Sequence, residues 1–362
     1  MKKNLFLAVA TCMAFASCVN DTNDFPQLEK GKILSFNSPV MHTQATRNYV
    51  GEIAPGAKYP TSEHFTVFAV EHIGDFAGWE ADNIVPGFFP AAGENVGNIG
   101  GDHWAPSKDY YLPTEPNRKL SFAAYSPTRA ASNCNTLTYD GHGLTIKDWT
   151  MPESDPYDLM YSDRTVNVET AEVAIKFNHA LSSIHFAFAK PLQNGPHQVI
   201  VTKIAVKGKD SDFFNVGTFQ DHVTTNNTSG TPNWSNLSEV NAPAEYILFE
   251  NKVFEVPTSN PAEATGVSAF LPIPQNITSN MKLVLSYKIK QAETDADYQE
   301  VNNLEIPFTS FIITGTTEHT SAWEINKRYF YNITFGALTK IYFHPEVAEW
   351  TTVGNAGTYV IQ

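Results

Sequence analysis

The sequence predicts an all-β protein with two β-sandwich domains, from its composition and from a phase change near its midpoint. Of the 362 residues, 12% are aromatic and 17% are charged, with 22 Pro and 21 Gly. This composition is typical of many short strands joined by turns. The sequence on either side of the midpoint is long enough for one sandwich. We therefore expect an N-terminal domain at residues 48–178 and a C-terminal domain at 179–362.

The midpoint stretch, residues 173–190, changes its apolar phase after Ser182 and Ser183. The two apolar sets are Val173, Ile175, Phe177, His179 and Leu181, and then Ile184, Phe186 and Phe188. Because strand side chains alternate between faces, the slip moves the second set to the opposite face unless a bulge or bend intervenes. The phase slip predicts two strands, with Ser182 and Ser183 at or near the point where the chain passes from one β-domain to the other. His179 is predicted to be a core or interdomain histidine, with a ligand role as the alternative.

The first 17 residues predict an export signal, with two lysines, an apolar run and then small residues. Residues 15–18, FASC, resemble a bacterial lipobox, in which Cys18 becomes the lipidated first residue. The alternative is an ordinary secretory signal with an incidental cysteine. Past this leader no eighteen consecutive residues are apolar, so no transmembrane helix is expected. Cys134 then stands alone, which excludes an intrachain disulfide and a cysteine-based metal cluster.

After a polar tether at residues 19–31, residues 32–40 predict a short strand that stops at Pro39. Its apolar side chains are Ile33, Leu34 and Phe36. A polar loop follows, and Arg47 is its only basic residue. Exposed loops of this kind are where proteases cut. The alternative is that Arg47 is a solvated loop residue.

Strand patterns recur along the rest of the chain. The predicted strands are 64–70, 110–112, 120–125, 199–206, 244–256, 266–271, 281–289 and 329–335. Residues 74–101 are rich in Gly, Pro and Asn and predict a loop, in which turns are favoured over a phosphate cradle. The acidic residues Asp295, Asp297 and Glu300 lack the spacing of a calcium loop, which favours a solvated hairpin tip.

Several kinds of chemistry have no support in the sequence. The formal charge of −14 argues against a nucleic-acid surface, which needs clustered Lys and Arg. No histidine pair has metal-binding spacing, and nucleophile-elbow, Walker and dinucleotide motifs are missing. We expect no metal and no cofactor. A glycosidase pair of carboxylates need not be adjacent in sequence, so that class stays open without nominated residues.

A series of phrases, in order along the chain, resembles the fimbrillin family, the pilin subunits of type V pili in Bacteroidales. The phrases are 104–106 (WAP), 110–113 (YYLP), 120–127 (LSFAAYSP), 158–161 (DLMY), 177–182 (FNHALS), 271–275 (LPIPQ), 323–331 (WEINKRYFY) and 347–350 (VAEW). Each phrase is weakly specific. Their order and the lipobox together make the resemblance a strong one.

The resemblance implies two transthyretin-like Greek-key sandwiches and a subunit without catalysis that polymerises with other pilin subunits in an adhesive fimbria. The precursor, lipidated on Cys18, reaches the outer membrane, and an Arg-specific protease cuts after Arg47. The propeptide 18–47 then leaves with the first strand, and a neighbour's tail, 347–362, fills the groove. The tail's apolar residues are Val353, Tyr359 and Ile361. A host or bacterial surface ligand is the further partner expected.

The energetics agree with this scheme. Loss of three buried apolar side chains costs about 5 to 9 kcal/mol, against a domain stability of about 5 to 15 kcal/mol. An open edge beside an apolar groove demands a partner strand. The alternative for the tail is a closing strand of its own domain. The alternative function is a surface-anchored glycan-binding lipoprotein in which exposed Trp and Tyr stack on sugars; an enzyme is the third.

Overall fold

Among the residues that the structure describes, short strands make up almost all the regular structure. The computed structural model describes residues 31–41, 58–75, 84–85, 87–139, 143–221, 231–313, 316–336 and 341–349. In these residues the only helices are two 3-10 turns, η1 (Thr128–Asn133) and η2 (Phe308–Ser310). The predicted all-β class is confirmed. No helix in this part of the chain has the length and apolar character to cross a membrane.

Twenty-six strands follow one another along the described residues. The first thirteen are β1 (Ser35–Asn37), β2 (Val40–Met41), β3 (Phe65–Ile73), β4 (Ile84–Val85), β5 (Glu94–Gly100), β6 (His103–Pro106), β7 (Arg118–Ser126), β8 (Thr136–Tyr139), β9 (Leu144–Thr150), β10 (Met160–Ser162), β11 (Thr165–Val168), β12 (Glu172–Val173) and β13 (Lys176–His179). The others are β14 (Ser183–Ala189), β15 (Gln198–Lys207), β16 (Val216–Gln220), β17 (Asn233–Ser238), β18 (Glu245–Phe249), β19 (Phe254–Glu255), β20 (Ala262–Glu263), β21 (Gln275–Asn276), β22 (Lys282–Lys290), β23 (Gln299–Pro307), β24 (Ala322–Trp323), β25 (Lys327–Phe335) and β26 (Ile341–Glu349).

Eleven strands form the first sheet, which wraps round its own core. Their order is β12-β1-β6-β5-β3-β7-β10-β13-β2, with β11 on β7 and β4 on β3. The strands β12 and β13 lie toward opposite ends of this order, yet only residues 174–175 separate them in the chain. The three steps from Val173 to Lys176 span only about 10 Å even when extended. The two ends of the sheet therefore lie close together, and the sheet encloses the side chains between them.

The first core fills this enclosure with aromatic and aliphatic side chains from nearly every strand of the sheet. Its members are Leu34, Phe36, Tyr59, Phe65, Val67, Phe89, Val96, Trp104, Leu112, Leu120, Phe122, Ala124, Met160, Val168, Val173, Ile175 and Phe177. These residues span the first half of the described chain, from Leu34 in the first strand region to Phe177 in the midpoint stretch. The core is therefore closed only when β1 and β12 are both in place.

Four further sheets surround a larger second core. Their orders are β20-β14-β25-β26, β18-β15-β22-β23 with β19 on β15, β17-β16-β9-β8, and β21-β24. The strand β14 runs parallel to β25 along its whole length, from Ser183↔Arg328 to Ala189↔Thr334. Ile184, Phe186 and Phe188 of β14 belong to the second core, whereas Phe177 belongs to the first. The two strands predicted on either side of Ser182 are thus present and serve different cores.

The division into domains at 178/179 stays a prediction, because packing crosses it. Residues Gly31–Gln362 form one compact unit. The strand β9 precedes the division in the chain, yet it pairs with β16, which follows it. Trp149 of β9 also packs on Trp234 of β17, with ring centroids 5.6 Å apart.

Four sequence-based expectations about strands were wrong. The predicted loop 74–101 contains β4 and β5, because Val96 alternates into the core despite the surrounding glycines. Residues 110–112 and 266–271 form no strand; they contribute isolated bridges, among them Ile33↔Tyr111 and Ile184↔Phe270. The predicted strand 244–256 is two strands, β18 and β19.

His179 is a buried histidine with a satisfied hydrogen bond, as predicted for a core position. Its ring is fully buried, and its Nδ1–H donates to Asp158 Oδ2 at 2.7 Å. Burial, together with the positive charge of the buried Arg328, holds the pKa of His179 well below its usual value of 6.5. The folded protein therefore keeps this imidazole neutral under conditions in which the unfolded chain would protonate it.

We expect this neutral imidazole to make the fold sensitive to acid. A depressed pKa contributes stability that is complete above 6.5 and is lost as the pH falls toward the folded-state value. The variant His179→Asn, whose amide nitrogen takes the place of Nδ1 and can donate to Asp158, should lose less stability between neutral pH and about pH 5, measured by urea unfolding. Burial also lowers the pKa of His72, so His72→Gln should act in the same direction. Identical pH slopes in wild type and His179→Asn would contradict the assignment.

Candidate functional site

Residues 31–41 form an extended segment that is hydrogen-bonded along both edges. On one edge the N–H of Leu34 donates to Tyr110 O at 2.7 Å, and Phe36 pairs with Trp104 of β6. On the other edge Ser35 N–H donates to Ala171 O at 2.8 Å. The parallel pairings β1 with β12 and β2 with β13 continue this second edge. We call residues 31–41 the first segment, and its place between 103–112 and 171–177 the groove.

Two side chains of the first segment enter the first core. Leu34 and Phe36 are each 1% exposed. The Phe36 ring meets Phe65 and Phe122 edge to face, with centroids 6.1 and 5.8 Å apart. The prediction that Ile33 is also buried was wrong, because Ile33 is 53% exposed. With alternating side chains, Ile33 lies on the outer face whenever Leu34 and Phe36 face inward.

The floor of the groove is a cluster of interlocked aromatic rings. Tyr59 stacks on Phe177 at 5.8 Å and meets Trp104 edge to face at 5.2 Å. Its hydroxyl shares a 2.6 Å hydrogen bond with Ser126 Oγ. Burial raises the pKa of Tyr59, so the hydroxyl stays neutral. A rigid aromatic floor of this kind keeps its shape better than flexible aliphatic side chains would.

The entrance of the groove fits closely round the backbone of the first segment. A Cβ on Gly31 would lie 2.3 Å from the carbonyl oxygen of Leu112, so only glycine fits there. Next to it, the ring of Tyr110 packs edge to face on Phe89 at 4.6 Å, and its hydroxyl donates to Glu94. Burial and this carboxylate raise the pKa of Tyr110 to about 12. These contacts fix the strand edge that accepts the N–H of Leu34.

The other predicted processing and assembly residues lie outside the described residues. They are Cys18, Arg47, Val353, Tyr359 and Ile361. The structure describes only the beginning of the predicted donor tail, residues 347–349. There Val347 pairs with Tyr329, and β26 is an edge strand of its own sheet. Residues 347–349 are therefore paired in cis in this structure, and the predicted donor tail 347–362 stays a prediction.

Sequence reasoning singled out His179 and missed His185, which is equally buried. His185 lies on β14, both faces of which are covered, so period-two alternation gives no signal. Its Nδ1–H donates to Glu263 at 2.7 Å, and Ser183 Oγ bonds to its Nε2 at 2.9 Å. These are the residue types of a hydrolase triad. Ser183 is only 1% exposed, however, so no substrate reaches it and the arrangement links β14 to β20.

Metal and sugar sites have little support in the described part of the chain. In those residues no group of three His, Cys, Asp or Glu side chains is arranged to hold a metal ion. Glu300 forms a 2.6 Å ion pair with Lys288 across the β22–β23 hairpin, in keeping with the predicted hairpin tip. The described tryptophans are all buried, namely Trp104, Trp149, Trp234 and Trp323. This removes much of the exposed aromatic surface on which the glycan-binding alternative rested.

The fold and the groove define an all-β protein whose first core is completed by an N-terminal strand. The family model described as Fimbrillin-like matches residues 61–350, and the chain belongs to this family. This membership places the chain among the subunits of cell-surface fimbriae. No curated protein matches the chain.

Solved structures with a similar course of the chain include three fimbrial proteins. A fimbrial protein from Bacteroides vulgatus is 18% identical, with a TM-score of 0.49, and the match covers 79% of this chain and 93% of that one. A fimbrial assembly protein from Parabacteroides distasonis is 13% identical, with a TM-score of 0.36 and coverage of 88% and 98%. The tip fimbrial protein Mfa3 from Porphyromonas gingivalis, with C-terminal truncation, is 8% identical, with a TM-score of 0.37 and coverage of 88% and 100%.

Unfolding should distinguish the inward and outward faces of the first segment. In the uncut protein, Phe36→Ala should lower the free energy of unfolding by about 3 to 5 kcal/mol, because it leaves a cavity among Phe65 and Phe122. Ile33→Ala, on the same segment, should change it by less than about 0.5 kcal/mol. Urea titration of the two variants checks this. Equal losses would mean that the first segment is not seated as described.

Proposed function

We propose that this protein is a structural subunit of a type V fimbria that polymerises by exchange of its first strand for a neighbour's strand. The observation that carries the proposal is the first segment itself. It is paired along both edges of the groove and supplies Leu34 and Phe36 to the first core. A polar loop with a single arginine separates it from β3. A single cut in that loop would leave the segment held by noncovalent contacts alone.

Export and anchoring come first in the proposed sequence of events. The leader directs the chain out of the cytoplasm, and lipid on Cys18 holds the precursor at the outer membrane. Cleavage after Arg47 by an Arg-specific protease then separates the lipidated propeptide from the subunit. The same cut therefore releases the subunit from its anchor and frees the groove. Coupling the two events would restrict polymerisation to subunits that have reached the cell surface.

An empty groove is energetically unfavourable, so another strand should bind there. Two buried side chains contribute about 3 to 6 kcal/mol, somewhat less than three would. Departure of the segment also leaves backbone groups unpaired on both β6 and β12, inside what was a continuous sheet. A neighbouring subunit's strand with two inward apolar residues would restore both the buried apolar contacts and the backbone hydrogen bonds. In the tail, Tyr359 and Ile361 have the same two-residue spacing as Leu34 and Phe36.

The partners in this scheme are other copies of the subunit or related pilins, the processing protease and the lipid bilayer. A surface ligand on a host or another bacterium completes the adhesive role. No catalysis is assigned to the protein. The glycan-binding alternative predicts a different oligomeric state. A surface receptor can run as a single monomer on a gel, whereas a fimbrial subunit should give a ladder of noncovalent polymers.

Replacing the arginine should stop assembly before the strand is exchanged. We expect Arg47→Ala to accumulate as a lipid-labelled monomer of precursor size, because the first segment still occupies its own groove. Gel analysis of cells fed a clickable palmitate analogue checks both size and lipidation, and Cys18→Ala should remain unlabelled. The exposed Lys58 provides a matched control, and Lys58→Ala should assemble normally. Normal polymers built from uncut Arg47→Ala would refute the processing step.

Two truncations separate a donor tail from a closing strand. Deletion of residues 355–362 leaves β26 intact, so we expect a folded monomer with an unchanged melting temperature that cannot extend a polymer. Deletion of residues 347–362 also removes the end of β26 and should lower the melting temperature. Thermal unfolding and size-exclusion chromatography measure both effects. Strong destabilisation by the shorter deletion would show that the tail closes its own domain.

A further inference from the structure

The entrance of the groove accepts only glycine at one position of the strand that it binds. The first segment has Gly31 there, and a Cβ at this position would overlap the carbonyl oxygen of Leu112. This carbonyl belongs to the backbone of the groove wall, and the N–H of Leu112 is bonded to Lys32 O at 3.0 Å. The carbonyl therefore cannot swing aside as the end of a side chain could. Any strand that follows the path of the first segment needs glycine at this place, which we call the entrance position.

The groove also contains a buried hydrogen-bond donor that has no acceptor. Trp104 lies directly opposite Phe36 on β6 and is 1% exposed. Its Nε1–H makes no hydrogen bond within the described residues. Directly opposite residues on antiparallel strands have Cβ atoms about 4.5 to 5.5 Å apart, so the side chain in the place of Phe36 lies beside the indole. A buried N–H without an acceptor is costly, and an aromatic side chain with a hydroxyl in that place would bring an acceptor beside it.

The predicted tail repeats the glycine and the aromatic residue of the first segment at the same spacing. Phe36 is the fifth residue after Gly31, and Tyr359 is the fifth residue after Gly354. Tyrosine is the aromatic residue that carries a hydroxyl. A tail seated with Gly354 at the entrance position therefore brings both a ring and an acceptor to the place of Phe36.

Apolar spacing alone would allow a second register, shifted by two residues. Tyr359 would then take the place of Leu34, and Ile361 would take the place of Phe36. In this shifted register Ala356 falls at the entrance position, where its Cβ has no room. The entrance therefore excludes a register that the apolar spacing permits.

The donor should run in the same direction as the first segment. The strand β1 is parallel to β12 and antiparallel to β6. Parallel and antiparallel ladders place their N–H and C=O groups in different patterns. A strand of opposite direction would meet the wrong pattern on both walls of the groove, whereas a strand of the same direction can restore both ladders.

We propose that the groove selects one register of a neighbouring copy's tail, with Gly354 at the entrance position and Tyr359 in the place of Phe36. This inference rests on the strand exchange proposed above, and it adds the register and the residue that enforces it. The ring of Tyr359 would pack on Phe65 and Phe122, whose rings now meet the first segment edge to face. The hydroxyl of Tyr359 would accept a hydrogen bond from the indole N–H on β6.

Paired cysteines read the register directly. On the outer face of the groove Asn37 lies opposite His103, and both residues are exposed. In the proposed register Val360 takes the place of Asn37, within disulfide distance of His103. Full-length subunits with Val360→Cys, His103→Cys and Cys134→Ser should therefore form disulfide-linked ladders on non-reducing gels after mild oxidation. Gln362→Cys in place of Val360→Cys tests the shifted register and should form no such ladder.

Variants of the tail test the same register through assembly. Gly354→Ala should lower the yield of polymer at least about tenfold, because the added Cβ must displace the backbone of the groove wall. Asn355→Ala is the matched control, since Asn355 takes the exposed place of Lys32 and the variant should assemble as wild type does. Gly357→Leu should give polymers that survive a higher temperature, because residue 357 takes the buried place of Leu34, which glycine leaves empty.

The outcomes separate failure of the register from failure of strand exchange. Cross-linking through residue 360, together with loss of assembly in Gly354→Ala, is the result that the inference predicts. Failure to cross-link through residue 360 in subunits that still polymerise, or equal assembly of wild type and Gly354→Ala, would overturn the register while strand exchange stands. No polymer from the wild type would overturn strand exchange, and this inference with it.

Discussion

Pairing of the first segment along both of its edges is the constraint on which the first sheet depends. A strand at the edge of a sheet can fray and exchange its hydrogen bonds for bonds to water. The first segment has no such option, because β6 lies on one side of β1 and β12 on the other. Its removal would open the wrapped sheet at its seam and expose the rings round Phe36. The double pairing that closes the core thus also means that an empty groove lowers the stability of the protein.

The midpoint stretch, residues 173–190, connects a wall of the groove directly to the second core. Its first part, β12 and β13, forms one wall of the groove, and β14 begins only four residues after β13. At the crossing, Ser182 Oγ donates to Glu324 O at 2.8 Å, and the N–H of Ser182 donates to Pro272 O at 3.1 Å. A few residues away, Asp158 and His179 add a buried hydrogen bond. The wall is therefore held from the second core and should keep its position when the first segment is absent.

The features that follow a simple alternation could be predicted from the sequence. The phase slip at Ser182 and Ser183 correctly indicated two strands, and the first strand was recognised from three apolar residues in a short polar context. Ile33 was misassigned because apolar side chains at both 33 and 34 do not reveal which face is inward. The β5 strand was missed because its glycines resemble loop residues, although Val96 reaches the core.

Features that depend on partners distant in sequence could not be predicted. The parallel pairing of β1 with β12 joins Ser35 to Glu172, which lies 137 residues further along the chain, and no local pattern connects the two. His185 was overlooked because β14 is covered on both faces, so its polar residues occupy no distinctive phase. The family resemblance supplied what periodicity could not, namely a reason to connect Arg47 with the first strand.

The central claim is that the groove must lose its own strand before the protein can polymerise. N-terminal sequencing of the subunit in fimbriae recovered from the cell surface tests it most directly. The account predicts a first residue of Asn48, with residues 32–41 missing from the polymerised subunit. Polymers whose subunits still carry residues 32–41 at their N-termini would contradict it.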